Sequence, residues 1–492
     1  MQTVSPGQSE LRYDVAYQEF AGNRYNRDFK GKGALVIQPG PRFVFSGSKR
    51  KLIGEPQELA FAADQIWNVQ AEGLGVQFMT GLGEAGRKKQ PFIFFCRTAQ
   101  EAAVVALRLP QTRDADFLAG REFAARLRDV AGPGSAWTSV TNAVVAVNVV
   151  VFVLMGLAGA GWFEVADMMP YIRYGANRAD ATTDGEWWRL VTSMFLHYGI
   201  LHLALNMWAL IQAGHLAEKL FGRASYAMAY FGSGLMGSVA TLLWHREKLV
   251  WSAGASGAVF GIYGAVLGYM LREKQQLPRS VYVPLQKSTI AFAGYNLLYG
   301  LVHPTIDNAA HLGGLAGGVV LGWILALPVD AGARARGLRS RLGLALTTVA
   351  AVVGVGLAAA PTFVYRVSEE LAWQELNKPY VTKESGQLAR EAELLKALEK
   401  GQRRSEAERW IGADAIPLYA AWRKEVLART FTPGRATEIR RTAFADILRL
   451  KLEAYEALRT ALQEGDAQAV ARYRIAEAHI VSELQALRRR RK

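Results

Sequence analysis

The 492-residue chain contains a single cysteine, Cys96. An intrachain disulfide is therefore excluded, and cysteine usage gives no redox compartment. Its seven histidines are scattered and include no His-Glu-x-x-His run. His215, His245 and His303 do not make a set that could converge as the three or four ligands of a zinc site, so no metal is expected. No Lys/Arg-rich stretch is interleaved with aromatics as a base-stacking groove would be, so the net charge of +15 is not read as a nucleic-acid footprint. An early hydrophobic run is also missing. The first long one begins near Val140, so no cleavable signal peptide is expected and insertion is expected to start at that internal segment.

What is present is a mixture. Hydrophobic residues make up 51% of the chain and charged residues 21%, which suits a membrane core with soluble flanks. Residues 1–135 carry short alternating runs at Ala34–Gln38, Arg42–Ser46, Leu59–Phe61, Gln65–Val69, Val76–Thr80 and Pro91–Cys96, separated by clusters such as Pro39-Gly40-Pro41. That is strand spacing. A helical pattern from Thr98 to about Leu107 follows. Strands closed by a helix suit a small cytosolic β-barrel similar to pleckstrin-homology domains, a fold that contacts lipids or proteins. Residues 362–492 are polar and helical in pattern, as in Glu391-Ala392-Glu393-Leu394-Leu395, and read as a solvated helical region with scope for a protein partner.

Between these flanks lie apolar stretches at roughly 140–160, 198–216, 225–244, 254–271, 288–302, 309–327 and 342–360. A bilayer core of ~30 Å needs about 20 helical residues. The fold class expected is thus a polytopic α-helical membrane protein. Residues 136–327 would form six helices, residues 328–361 a linker and a seventh. With the N-terminus inside, the inner loops carry Lys219, Arg223, Arg272, Lys274, Arg279, Lys287, Arg334, Arg336, Arg339 and Arg341. The outer loops carry Arg173, Arg178, Arg189, Arg246 and Lys248. This bias is that of an N-in protein, with seven spans leaving the C-terminus extracytoplasmic. A bacterial inner membrane is the expected setting.

Ionisable residues inside membrane spans are costly and mark function. His202 and Asn206, four residues apart, share one face near the outer end of the second helix. Ser256 and His311 fall in the first turns of the fourth and sixth helices, which also start outside. Four polar groups from three helices therefore converge at one depth. A serine hydroxyl needs an adjacent base to act as nucleophile, and His311 can supply one. The N–H groups at the start of the fourth helix, with His202 and Asn206, can hold an oxyanion. Gly254 and Gly257 leave room for a substrate carbonyl. Gly254-Ala255-Ser256-Gly257 is not the G-x-S-x-G elbow of α/β-hydrolases. Asp307 is read as a cap for the sixth helix rather than a third catalytic member.

These motifs resemble the rhomboid family of intramembrane serine proteases. Gly185-Glu186-Trp187-Trp188-Arg189 with His197, His202 and Asn206 is similar to the family's first loop and second helix. Gly254-Ala255-Ser256-Gly257-Ala258 resembles its nucleophile motif, and Ala310-His311-Leu312-Gly313-Gly314 with Gly318 resembles its sixth-helix motif. The resemblance covers about residues 140–327 and points to the longer, six-plus-one members. It implies a Ser256–His311 dyad without an acidic partner, and oxyanion donors in His202, Asn206 and the Ser256 N–H. Trp187 and Arg189 would belong to a loop in the outer leaflet, held by Glu186 and His197. Gly314 and Gly318 would pack the sixth helix on the fourth, and a shortened, less polar fifth helix would be the gate. Phe260 stands where some bacterial members have a tyrosine stacked on the histidine. The implied substrates are transmembrane proteins with helix-weakening residues near the cut, and no cofactor is implied. The alternative is a catalytically silent relative that binds membrane clients. Zinc and aspartyl intramembrane mechanisms are disfavoured, since the motif of the first and the paired membrane aspartates of the second are not found.

Overall fold

The computed structural model describes residues 10–17, 29–40, 42–49, 56–80, 90–132, 139–245, 250–303, 306–361, 366–466 and 468–489. Two of the basic residues counted for the outer loops, Arg246 and Lys248, lie outside the described residues. The chain divides into two compact units. One comprises residues 1–134, 269–292 and 326–337; the other comprises 135–268, 293–325 and 338–492.

The first unit holds seven strands: β1 (Leu11–Tyr17), β2 (Phe29–Gln38), β3 (Arg42–Lys49), β4 (Pro56–Ala62), β5 (Ile66–Glu72), β6 (Gly75–Thr80) and β7 (Gln90–Phe95). They form one antiparallel sheet in the order β4-β3-β2-β1-β7-β6-β5. The sequence patterning predicts six of them and misses β1, whose alternation is carried mainly by Val15 and Tyr17 because Arg12 and Asp14 fall on its exposed face. That strand is central: it joins β2 to β7. Phe45 sits at the middle of the core, its ring 4.9–5.7 Å from those of Phe61, Phe78, Phe92 and Phe94. Helix α1 (Ala99–Arg108), capped by the Thr98 hydroxyl, buries Ala102 and Val105. Where β5 bulges, Asn68 adopts a positive φ of 59°. Its side chain exchanges two 2.9 Å hydrogen bonds with Asp114, which caps α2 (Ala115–Ala131).

In the second unit, α3 (Val140–Leu157) leads into a loop with three short helices, α4 (Met169–Tyr174), α5 (Ala179–Thr182) and α6 (Arg189–Thr192). Helices α7 (Ile200–Phe221), α8 (Arg223–Trp244) and α11 (Asn308–Leu325) follow in the same unit, while α9 (Ser256–Arg272), α10 (Arg279–Val302) and α12 (Ala331–Ala359) are divided between the two units. Five of these, α3, α7, α8, α11 and α12, are long and apolar enough to cross a membrane. Helix α9 has 17 residues. The fifth helix is not shortened as the resemblance implies: α10 runs 24 residues by adding a flank with Arg279 and Lys287 to its apolar stretch. Helix α12 begins ahead of its apolar stretch because its arginine-rich start is helical too. The start of α3 is seated on α7, where the Glu218 carboxylate accepts hydrogen bonds from the Val140 and Thr141 N–H groups and the Ser139 and Thr141 hydroxyls. An anion there complements the unpaired N–H groups of a helix start.

Helices α9 and α11 meet backbone to backbone. A methyl built on Gly314 would overlap the Gly257 carbonyl, one on Gly318 the Gly261 carbonyl, and one on Gly322 the Ala265 carbonyl. The anticipated Gly314 and Gly318 are thus part of a longer row at four-residue spacing, the small-residue pattern that lets membrane helices approach.

The C-terminal region comprises α13 (Val367–Glu399), α14 (Arg404–Trp410), a π-helical turn at Ile411–Ala415, α15 (Ile416–Ala428), α16 (Ala436–Glu464) and α17 (Ala469–Arg489). Its core is aromatic, with Trp373, Trp410, Tyr419, Trp422, Tyr455 and Tyr473 buried together. Buried Glu391 accepts hydrogen bonds from the Tyr455 and Tyr473 hydroxyls.

Gly318→Ala places its methyl against a backbone carbonyl that cannot rotate away. It is expected to cost about 1–3 kcal/mol, read as a lower thermal unfolding midpoint in detergent. Gly294→Ala on α10, where nothing lies within 4 Å of the added carbon, is expected to leave the midpoint unchanged. Equal midpoints for the two variants would refute the close packing.

Candidate active site

Ser256 is the first residue of α9. It is half-buried, as is His202, while Asn206 and His311 are buried. The turn before it is held from several sides. Gly254 has φ +137°, a conformation that side chains disfavour, and its N–H donates to the Ser193 carbonyl at 2.9 Å. The Ala255 N–H donates to His197 Nε2 at 3.3 Å, and His197 Nδ1 lies 3.3 Å from the Phe195 carbonyl. That pattern puts the His197 proton on Nδ1. Burial, followed by the neighbouring His202, lowers the His197 pKa to about 3 against the opposing pull of the Phe195 carbonyl, so this imidazole is neutral.

His202 has the opposite tautomer. Its Nδ1 accepts the Tyr198 N–H at 3.3 Å, so the proton sits on Nε2. A carbon built on Gly254 would lie 3.1 Å from that Nε2 and 3.7 Å from Ser256 Oγ. Gly254 therefore leaves open a space faced by both an N–H donor and a hydroxyl. Asn206 Nδ2 donates to the His202 carbonyl at 2.9 Å, which uses one of its two N–H bonds.

His311 lies in the first turn of α11. The Phe260 ring stacks on it at 4.3 Å between centroids and 11° between planes, and no hydrogen bond to Nδ1 is found among the described residues. The residue after Ser256 packs beside it too: a carbon on Gly257 would lie 3.3 Å from the Ala310 carbonyl oxygen. Phe260 and the glycine contacts thus bring the Ser256 and His311 turns side by side.

The first loop buries Arg189 and exposes Trp187. Arg189, 2% exposed, pairs with Glu186 and donates to the Ile172 and Ala176 carbonyls. Trp187 is 65% exposed. Trp251 carries the Arg178 guanidinium 4.0 Å above its ring. An antiparallel bridge, Asn177 to Ser252, ties the loop to the segment leading into Ser256.

Sequence reasoning found Asp307 as a cap but missed its larger role. Asp307 Oδ1 accepts the Ala309 and Ala310 N–H groups at 3.1 Å, as a cap does. Oδ2 accepts the Thr241 and Ser252 hydroxyls at 2.6 Å, and His245 Nε2 lies 3.4 Å from Oδ1. One carboxylate thus joins α8, the segment before Ser256 and the start of α11. Burial pushes its pKa up, but the His245, Ser252, Thr241 and Ala310 hydrogen bonds outweigh burial and hold it at about 2. No short-range pattern marks Thr241, His245 and Ser252 as its partners. Among the described residues no group of histidine, cysteine and carboxylate side chains could hold a metal ion.

Comparison with known proteins gives the family. The family model described as Rhomboid domain matches residues 184–328. The rhomboid protein YdcA of Bacillus subtilis (strain 168) is 33% identical over 141 residues, which are 29% of this chain and 68% of YdcA. The chain belongs to the rhomboid family. The rhomboid protease GluP of the same organism is 32% identical over 210 residues, 43% of this chain and 38% of GluP. RHOMBOID-like protein 6, mitochondrial, of Arabidopsis thaliana is 38% identical over 147 residues, 30% of this chain and 46% of that protein. The chain thus spans less than half the length of these last two relatives.

Because the Asp307 pKa lies below its ordinary 3.8, the ionised carboxylate stabilises the fold above that pH. The contribution is lost as pH falls through about 2. Asp307→Asn is expected to lower stability at pH 7 by about 2 kcal/mol, and its deficit against wild type should shrink as pH drops toward 2. Thermal unfolding in detergent across pH 7 to pH 2 checks this; a deficit independent of pH would refute the ionic role.

Proposed function

We propose that this chain is an intramembrane serine endopeptidase that cleaves transmembrane segments of other membrane proteins. Ser256 is the nucleophile and His311 the general base, in a six-plus-one helix core of residues 136–361 in which α9 and α10 also span. The observation that carries the reading is the open space at Gly254, which a serine hydroxyl and the Nε2–H of His202 both face. GluP, a relative bearing the name rhomboid protease, supports the same class.

The chemistry runs in two halves. His311 takes the Ser256 proton as Oγ bonds to the scissile carbonyl carbon. The carbonyl oxygen becomes an oxyanion held by His202 Nε2–H, the free Asn206 N–H and the Ser256 N–H at the start of α9, donors set in place before charge develops. The C–N bond then breaks, and His311 returns the proton to the leaving amine. Water repeats the sequence on the acyl-enzyme and releases the acid. Phe260 keeps the His311 ring in plane by stacking alone, since a phenyl ring donates no hydrogen bond. An intact substrate helix hides its carbonyls in i to i+4 hydrogen bonds, so substrates are expected to carry helix-weakening residues near the cut.

Which segments share a unit supports the orientation. Residues 1–134 fall with 269–292 and 326–337, which hold Arg272, Lys274, Arg279, Lys287, Arg334 and Arg336. A positive face of that kind supports a cytoplasmic N-terminal domain. The first loop falls with residues 366–489, which supports an extracytoplasmic C-terminal region.

In proteoliposomes, wild type is expected to cleave a transmembrane substrate, and both Ser256→Ala and His311→Ala to abolish cleavage. His202→Ala is expected to slow it by about 10²-fold, as loss of one oxyanion donor does. Undiminished cleavage by Ser256→Ala would sink the mechanism. A wild type that neither cleaves nor reacts with a fluorophosphonate would favour client binding.

A further inference from the structure

The first loop of the rhomboid domain presents a carboxylate that its own neighbours leave to a distant part of the chain. Asp184 sits just past α5, one residue before the Gly185–Arg189 motif, with its side chain 13% exposed. Arg435 Nη2 donates to it at 3.1 Å, and Arg366 Nε forms an ion pair with it at 3.0 Å. Both arginines immediately precede helices of the C-terminal region, Arg366 before α13 and Arg435 before α16. Two cations side by side repel, so something must hold them together. Glu369, in the first turn of α13, accepts the Thr432 N–H at 3.0 Å and the Thr432 hydroxyl at 2.6 Å. Glu370 pairs with Arg440 at 2.8 Å. The arginine pair is thus built by the C-terminal helices themselves and offered to Asp184. Two further contacts flank it: the Thr183 hydroxyl donates to the Pro361 carbonyl at 3.0 Å, and Arg173 pairs with Glu375.

The clamp lies on a short path to the serine. Asp184 is followed by Glu186, which pairs with buried Arg189. Helix α6 begins at Arg189 and leads into Ser193, whose carbonyl accepts the Gly254 N–H. Gly254 shapes the space beside Ser256.

We propose that Arg366 and Arg435 are positioning residues for the first loop. By clamping Asp184, the C-terminal helical region fixes the turn that carries Trp187 and Arg189, and so sets how a transmembrane substrate reaches Ser256. This rests on the endopeptidase reading above. Removing Asp184 breaks both ion pairs at once, whereas removing one arginine leaves the other pair intact. Asp184→Asn is therefore expected to be worse than Arg435→Gln alone, and comparable to Arg366→Gln with Arg435→Gln.

The test uses the full chain in lipid nanodiscs with three readouts: kcat and KM on a transmembrane substrate, the rate of Ser256 labelling by a fluorophosphonate, and hydrogen exchange of residues 179–190. Asp184→Asn and the double arginine variant are expected to speed exchange in that segment and to lower kcat/KM about tenfold. Fluorophosphonate labelling, which needs no ordered entry of a helix, should stay within about twofold of wild type. Asp184→Glu should restore all readouts. Unchanged exchange would overturn the clamp. Faster exchange with unchanged kcat/KM would overturn the positioning role. Faster exchange in a protein whose wild type neither cleaves nor labels would leave the clamp standing and refute the endopeptidase reading.

Discussion

The contact on which the polar chemistry of this rhomboid domain depends is the approach of α9 to α11 without side chains between them. Gly314, Gly318 and Gly322 face the carbonyls of Gly257, Gly261 and Ala265. In lipid there is little hydrophobic gain in bringing two apolar helices together, so dispersion at close range has to drive the pairing. Close range needs the absence of Cβ atoms. The same absence aligns the first turn of α9 with the first turn of α11, and Phe260 then finds the His311 ring at stacking distance. Phe260 and His311, 51 positions apart, are brought to that distance by the glycine spacing.

The end of that helix pair at Ser256 and His311 carries the opposite problem. Polar groups there must be fixed although few are exposed enough for water to satisfy them. Asp307 resolves much of it, since a single carboxylate satisfies two N–H groups of α11, hydroxyls from α8 and from the Ser252 segment, and lies within reach of His245. The two histidines of the first loop and α7 divide the remaining work by tautomer. His197 turns its bare Nε2 to the Ala255 N–H, and His202 turns its protonated Nε2 to the space at Gly254. Each orientation is imposed by a backbone group on the other side of the ring, Phe195 for one and Tyr198 for the other. A swap of either proton would leave a buried donor facing a donor, which costs more than the hydrogen bond itself contributes.

Much of this was legible in the sequence, and the rest was hidden for identifiable reasons. Helices such as α3 and α7 announce themselves by apolar length. Ser256, His311, His202 and Asn206 stand out because polar residues at the start of apolar runs are costly. Residue Asp307 was legible as a cap, since capping is local, but its partners Thr241, His245 and Ser252 lie 66, 62 and 55 positions away. Strand β1 escaped notice because only Val15 and Tyr17 of its residues are fully buried. The short helices α4 to α6 have too few residues to show a period, and they exist because Arg189 and Thr192 donate back to carbonyls at the end of α4 and just beyond it. The fifth apolar stretch is short because α10 begins with Arg279 and contains Pro284 and Lys287, residues that break an apolar run without breaking the helix.

The two ends of the molecule relate to the core by different means, and the difference is physical. The N-terminal sheet closes around aromatic rings centred on Phe45 and is anchored internally by the Asn68–Asp114 exchange of hydrogen bonds, so its stability comes from its own core. The C-terminal helices also have an aromatic core, yet two arginines that immediately precede helices pair with Asp184 outside it. Partly exposed ion pairs contribute little stability singly, and one carboxylate between two guanidiniums leaves a net positive charge. Folding alone therefore gives a weak reason for that arrangement. Its geometric consequence is stronger: the turn entering Glu186 and Arg189 is tied to the starts of two long helices.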